Sequence, residues 1–338
     1  MKADAARRRR LAAWLALVIG LGLAAGLATG SAGFSPGAFW ADLQGGDAAL
    51  LLGQIRAPRT LGAALVGALL GLAGAISQGL FRNPLADPYL LGSASGAALG
   101  VVLVLAAASL GGHSLGLATA MWIERVGLVS AAFAGALAGV LLTLMLARGA
   151  VQTLRLLLAG VVVGVVLGAV SDLITVASPD ALRGKQAFML GSTSFLGWDA
   201  LALLAAGLAP LLWLAWRHAR ALDALTLGED SAASLGLDLG AVRLRLVLML
   251  SLGTALAVSQ AGLVAFVGLV APHLVRRNAP GAHGWLLLGS AAMGAALLLV
   301  ADVISRALIA PEELPVGVVT AVLGGVYLFR LLRQRTAP

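Results

Sequence analysis

The sequence predicts an all-α, polytopic membrane protein with about ten transmembrane helices. Two observations predict the class and a third sets the count. Of 338 residues, 60% are apolar and only 11% are charged, less than half the roughly 25% of a soluble domain. A water-soluble globule of this size could not cover its surface with so few charges, and a disordered chain would be far more polar. The apolar residues fall in long stretches, and a membrane-crossing helix needs about 20 of them, which leaves room for roughly ten. Cysteine is absent, so no disulfide, thiolate nucleophile or cysteine metal site exists. The net charge of +8 reads as membrane topology rather than nucleic-acid binding.

Taken in order, apolar segments cover 11–29, 61–81, 90–110, 126–147, 155–177 and 196–216. A polar stretch, 217–242, interrupts them, and apolar sequence resumes over 243–275, 284–304 and 315–332. Lys2 and Arg7 to Arg10 precede the first segment. Its apolar run of about 19 residues exceeds the roughly 7–15 of a secretory signal, so it reads as a retained helix. The four arginines place the N-terminus in the cytoplasm. Loops 82–88, 148–155 and 217–245 then fall on the inner side, each carrying arginine.

Segment 243–275 is too long for one span and short for two. A break near Gln260-Ala261-Gly262 would divide it, as membrane bundles tolerate where neighbours satisfy the backbone. With that break both termini are cytoplasmic. Only six basic residues then lie outside (Arg56, Arg59, Arg125, Arg183, Lys185 and Arg306), against the other 17 of 23 inside. The chain is one transmembrane domain over 1–338, with 223–240 as its cytoplasmic appendage.

Glycine occurs 44 times. Gly67 and Gly71, Gly135 and Gly139, and Gly160, Gly164 and Gly168 recur every four residues. That spacing puts small residues on one helix face and predicts close packing. A faint internal echo also exists. Arg59 leads into a helix carrying Ser77-Gln78 and a break at Pro84 and Pro88, as Arg243 leads into one carrying Ser259-Gln260 and a break at Pro272.

Much chemistry is missing. No G-x-x-x-x-G-K-[ST] loop, H-E-x-x-H or G-x-S-x-G occurs, so no nucleotide site, metalloprotease or serine-hydrolase site is expected, and no catalytic residue, metal or cofactor. The histidines at 113, 218, 273 and 283 are scattered. Asp172 and Asp302 lie near the outer ends of their spans, whereas ion-driven carriers place ionisable groups deeper. Energy therefore arrives from elsewhere.

Three stretches are distinctive. One is Arg56-Ala57-Pro58-Arg59, then Gln78, Arg82-Asn83-Pro84-Leu85-Ala86-Asp87-Pro88 and Leu91-Gly92. The second runs from Gly262 to Arg276, G-L-V-A-F-V-G-L-V-A-P-H-L-V-R. The third is Glu313-Leu314-Pro315-Val316-Gly317 with Thr320 and Gly324. Together they resemble the FecCD-type permease subunits of ABC importers for siderophores, haem and vitamin B12, across residues 50 to 332. The resemblance implies a BtuC-like type II importer permease in the bacterial inner membrane. It would work as a homodimer, with two cytoplasmic ABC ATPases beneath and a periplasmic binding protein above.

The resemblance also implies roles for residues. Asn83 and Leu85 would form the inner gate with Thr153, although Leu154 stands where a small polar residue can occur. Gly228, Glu229, Ala233, Leu235 and Gly236 would form the ATPase-coupling helices. The residues alone favour a short helix from about Gly228 to Leu235, with Glu229 and Asp230 suiting its N-terminal dipole. Arg56, Arg59 and Arg306 would dock the binding protein through forked carboxylate contacts. For Arg306 an intrahelical pair with Asp302, four residues away, stands beside that reading. Haem is the first cargo, with a siderophore or a corrinoid such as vitamin B12 as alternatives. A stand-alone secondary carrier is the rival from another class.

Overall fold

The computed structural model describes residues 2–30, 33–34, 37, 50–110, 117–149 and 152–335. It begins with α1 (Lys2–Ala28), a two-strand ribbon of β1 (Thr29–Gly30) and β2 (Gly33–Phe34), and a π-helical turn (Leu52–Arg56) leading into α2 (Ala57–Leu80). Then come α3 (Ser93–Leu110), α4 (Leu117–Leu146), α5 (Thr153–Ala177), α6 (Pro179–Leu190) and α7 (Trp198–Arg217). Two short helices follow, α8 (Ala219–Thr226) and α9 (Glu229–Ser234), then α10 (Leu239–Ala261), α11 (Val267–Asn278), α12 (His283–Ala307) and α13 (Val316–Arg335).

Seven segments are long and apolar enough to cross a membrane: Asp4–Ala28, Leu52–Leu80, Val126–Leu146, Thr153–Ala177, Trp198–Arg217, Leu239–Ala261 and His283–Ala307. Ser93–Ser109 and Val316–Leu331 are apolar but shorter. The break expected at Gln260-Ala261-Gly262 is present, because α10 stops at Ala261 and Gly262 turns the chain at φ 67°. The two parts are unequal, however. α10 keeps 23 residues and α11 has 12, about 18 Å of rise against roughly 30 Å of hydrocarbon. The expected pair of short spans is thus one full span and one half-length helix, and the count of ten is approximate. Helix α6, unforeseen in the sequence, fills the connection between α5 and α7.

The core is organised around α2, which packs against α12, α10, α11 and α7. Glycine permits the closest of these approaches. A Cβ on Gly71 would lie 2.1 Å from the Ser290 carbonyl oxygen, and one on Gly67 2.3 Å from that of Gly294. Gly135 and Gly139 likewise sit on Gly96 and Gly92 of the α3 side. The third stripe behaves otherwise. Gly160 meets the Leu90 carbonyl, but Gly168 has nothing within 4 Å. Its outer part therefore lies on an open face of α5, where Val165 and Leu173 are 67% and 73% exposed.

α1 lies along α12, with a Cβ on Gly22 placed 3.3 Å from Leu299 Cβ and Leu15 buried. Arg59 and Gln78 mark the two ends of α2, nineteen residues or about 28 Å apart. Polar side chains gather at these two ends, and the candidate site residues lie among them.

Candidate functional site

At the Gln78 end of the bundle, the polar stretch after α7 folds as α8 and α9. The short helix expected between Gly228 and Leu235 is there, as Glu229–Ser234. Gly228 (φ 107°) and Gly236 (φ 83°) bracket it, a left-handed backbone in which a side chain would be strained. Glu229 and Asp230 occupy its first turn, where carboxylates suit the helix dipole.

Glu229 also reaches inward. Its Oε1 accepts from Arg243 Nη2 of α10 at 2.6 Å and from Arg82 Nη2 at 3.4 Å. Arg243 is almost wholly buried. Its hydrogen bond holds the Glu229 carboxyl below the ordinary glutamate range; burial opposes this, and the charges of Arg243 and Arg82 add to it. Asp230, Ser231 and Ser234 are exposed, and apolar side chains share this surface with them. Ala233 is exposed, and Leu227 and Leu235 are 67% and 65% exposed. One turn away, Asp223 Oδ1 accepts from the His283 backbone N–H at 2.9 Å and lies 2.7 Å from its Nδ1, fastening α8 to the start of α12.

The loop between α2 and α3 lies beside this element through Arg82. Its two prolines end α2, and Asn83 Oδ1 accepts from the Leu85 N–H at 2.9 Å, closing a side-chain-capped turn. Asn83 and Leu85 are exposed. Further along, Asp87 Oδ1 accepts from the Tyr89 N–H at 2.8 Å, and the Tyr89 hydroxyl donates to the Val264 carbonyl at 3.2 Å. Burial raises the Asp87 carboxyl, against that backbone hydrogen bond, and pushes the Tyr89 phenol up. Thr153, half-buried, opens α5. Among the described residues no hydrogen bond joins it to Asn83 or Leu85, and residues 150 and 151 beside it lie outside the description.

At the opposite end, Asp302 is fully buried and holds two arginines. Arg59 Nε donates to its Oδ1 at 3.3 Å, and Arg306 Nη2 donates to its Oδ2. Thr193 Oγ1 donates to the same carboxylate. Arg59 Nη1 continues to Glu313 Oε1 at 2.9 Å, and Ser194 donates to Glu313 Oε2 at 3.0 Å. Arg306 Nη1 donates to the carbonyls of Gly26 and Thr29, which ties the end of α1 into the network. Burial alone would raise the Glu313 carboxyl. The hydrogen bond and charge of Arg59, with Ser194 and Arg306, outweigh it and hold the group below its ordinary value.

Arg59 and Arg306 were expected to meet a partner's carboxylates, yet they are 7% and 3% exposed and turned onto internal ones. Burial of an arginine requires a paired acid, and Asp302 and Glu313 supply it. The Asp302–Arg306 pair expected from their spacing is formed. Arg56 is partly exposed, and its Nη1 donates to the Leu27 carbonyl at 3.4 Å.

Sequence reasoning did not foresee the Glu313 end of the network, nor Arg243 and Arg82 as the partners of Glu229. A signal existed for Arg243, which with Arg245 is one of two arginines at the head of a mostly apolar helix. Among the described residues no group of three histidine or carboxylate side chains could hold a metal; His113 lies outside them.

The sequence matches the FecCD transport family over residues 16–334. It is 42% identical over 285 residues to the hemin transport system permease protein HmuU of Yersinia pestis, covering 83% of each chain. It is 38% identical over 335 residues to the vitamin B12 import system permease protein BtuC of Salmonella typhi, covering 97% of each. Among solved structures it shares the fold of an inward-facing metal-chelate type ABC transporter, with a TM-score of 0.83 and 24% identity over 96% of this chain and 99% of that one.

Proposed function

Because this chain belongs to the FecCD transport family, we propose that it is the permease through which an ATP-driven importer moves haem across the bacterial inner membrane. It is a multi-pass permease subunit and not an enzyme. Family membership implies a dimer with ATPase and binding-protein partners.

The observation that carries the reading is the α9 element. It offers exposed Leu227, Ala233 and Leu235 to a partner, while Glu229 anchors it to buried Arg243 and to Arg82 of the Asn83–Leu85 loop. A push on α9 by a cytoplasmic ATPase is thereby delivered to α10 and to the Asn83–Leu85 loop, which with Thr153 would form the inner gate. ATP drives transport only if it favours one permease state over the other, and this linkage gives it a handle. The α9 end is cytoplasmic in this reading, as are both termini, and the Asp302 end is periplasmic. Two ATPases would serve two copies of the chain. The second copy would cover the open apolar faces of α5 and α13, where Val165, Leu173, Val322 and Phe329 are exposed.

Haem is favoured as cargo by the 42% identity to a hemin permease. A corrinoid is the second reading, favoured by a match covering 97% of the chain. The deciding experiment is uptake into proteoliposomes holding the permease, its ATPase and its binding protein, with haem and cobalamin supplied in parallel. ATP-dependent haem uptake is expected. Uptake of cobalamin alone would overturn the cargo, and uptake along an ion gradient with no ATPase present would overturn the mechanism.

A further inference from the structure

Alongside α1, away from the elements given a transport role, lies a groove of about 650 Å³, within the roughly 300–1,000 Å³ of small-molecule sites. Its walls are apolar, with Trp14 and Val18 from α1 and Leu297 and Val300 from α12, and Arg7 and Arg10 stand at one end. None of its lining residues is acidic. From the Arg7 level to Val18 is eleven residues, about 16 Å of helix, close to half the roughly 30 Å of a bilayer's hydrocarbon. The groove thus has the length of one leaflet, with its positive charge where that leaflet's headgroups lie.

The surroundings say what fills it. Trp14, Leu17 and Leu21 are 56%, 58% and 61% exposed on α1, so this side of the helix faces hydrocarbon, and the neighbouring solvent is lipid. Arg8 steadies the mouth, its Nε donating to the Pro280 carbonyl at 3.2 Å. Arg7 and Arg10 themselves remain exposed. Basic pockets between membrane helices on the cytoplasmic side suit acidic headgroups. We infer that this groove is a binding site for an anionic glycerophospholipid, its acyl chain against Trp14, Val18 and Val300 and its phosphate between Arg7 and Arg10. Any lipid tail fills the apolar part equally well; the two arginines select the charge.

The test uses the full-length protein in nanodiscs and reads Trp14 as the signal lost in a Trp14→Phe variant. Dibrominated phosphatidylglycerol and dibrominated phosphatidylcholine serve as quenchers at equal mole fraction. A membrane-surface arginine is worth about fivefold in affinity for anionic lipid, so a preference of about tenfold or more for phosphatidylglycerol is expected. It should fall as salt is raised, disappear in Arg7→Gln/Arg10→Gln, be weakened by Arg7→Gln or Arg10→Gln alone, and persist in Arg9→Gln, which like each single variant removes one charge but lies outside the groove. Equal quenching by the two lipids, a preference indifferent to salt, or its survival in the double variant would overturn the site. Loss in Arg9→Gln would reduce it to general surface charge and overturn it too. So would shielding of Trp14 from both lipids, as a second copy seated there would cause.

Discussion

Glu229 accepts a hydrogen bond from Arg243 at 2.6 Å, and through it a surface helix of six residues is fastened to the buried helix α10. Glu229→Gln keeps the shape and removes the negative charge that faces the buried Arg243 guanidinium. ATP-driven uptake should fall about tenfold or more, while ATP hydrolysis by the reconstituted complex continues. Glu229→Asp should restore part of the transport. If uptake and hydrolysis stayed coupled in Glu229→Gln, the linkage through Arg243 would be irrelevant to transport.

The same carboxylate sets a pH dependence, and Glu313 sets a second at the other end. Both are held below their ordinary value. A depressed carboxyl contributes stability above the unfolded value, about 4.5, and loses it as pH falls through the lower folded value. The difference in melting temperature between the native chain and Glu313→Gln should be constant from pH 8 to 5 and should narrow below about 4.5. A difference that grew on acidification would contradict the sign.

Asp302 holds Arg59 and Arg306 together with Thr193 inside the protein. Removing one partner of a buried pair costs about 3–5 kcal/mol, whereas replacing the pair by apolar residues is often neutral. Asp302→Leu should therefore destabilise severely, and Asp302→Leu/Arg306→Met should be more stable than that single variant, though Arg59 keeps only Glu313. Detergent melting curves of the variants would decide, and a double variant no better than Asp302→Leu would refute the account.

Glycine stripes make different demands at α2 and at α5. Gly71→Val would drive a side chain into the Ser290 carbonyl, and overpacking of this kind costs about 1–3 kcal/mol or more. Gly168→Val meets nothing within 4 Å. The first should lower the melting temperature of the solubilised monomer, and the second should not. Gly168→Val should instead weaken association between copies, as read by the dissociation of the dimer on dilution in detergent.

These contrasts show what was legible in the sequence. Class, helix order, the break after Ala261 and the α9 turn follow from local signals: apolar run length, Gly262 and Gly228. Four-residue glycine spacing reveals a small-residue face but not whether a helix of the same chain covers it, so Gly67 and Gly168 look alike until the fold is known. The half-length of α11 is hidden because Phe266 ends the connection in a left-handed conformation that its side chain does not advertise. Charges read outward from sequence turn inward where a distant acid waits. Asp302 and Glu313 lie 243 and 254 residues from Arg59, and no periodicity links them.

Arg56 and Arg59, three residues apart, can therefore be separated by experiment. In the proposed importer the binding protein docks at the Asp302 end. Arg56 is partly exposed there, whereas Arg59 is committed to Asp302 and Glu313. Arg56→Glu should reverse a rim charge and weaken capture of the binding protein about tenfold, mainly by slowing association and in a salt-dependent way, with the melting temperature little changed. Arg59→Glu should place a third acid between buried Asp302 and partly exposed Glu313 and lower the melting temperature before any docking can be measured. Surface plasmon resonance on nanodisc-embedded permease, with melting curves in parallel, checks both. If Arg59→Glu folded normally and lost only docking, the buried network would be a docking site after all, and Arg59 would have to leave Asp302 to meet its partner.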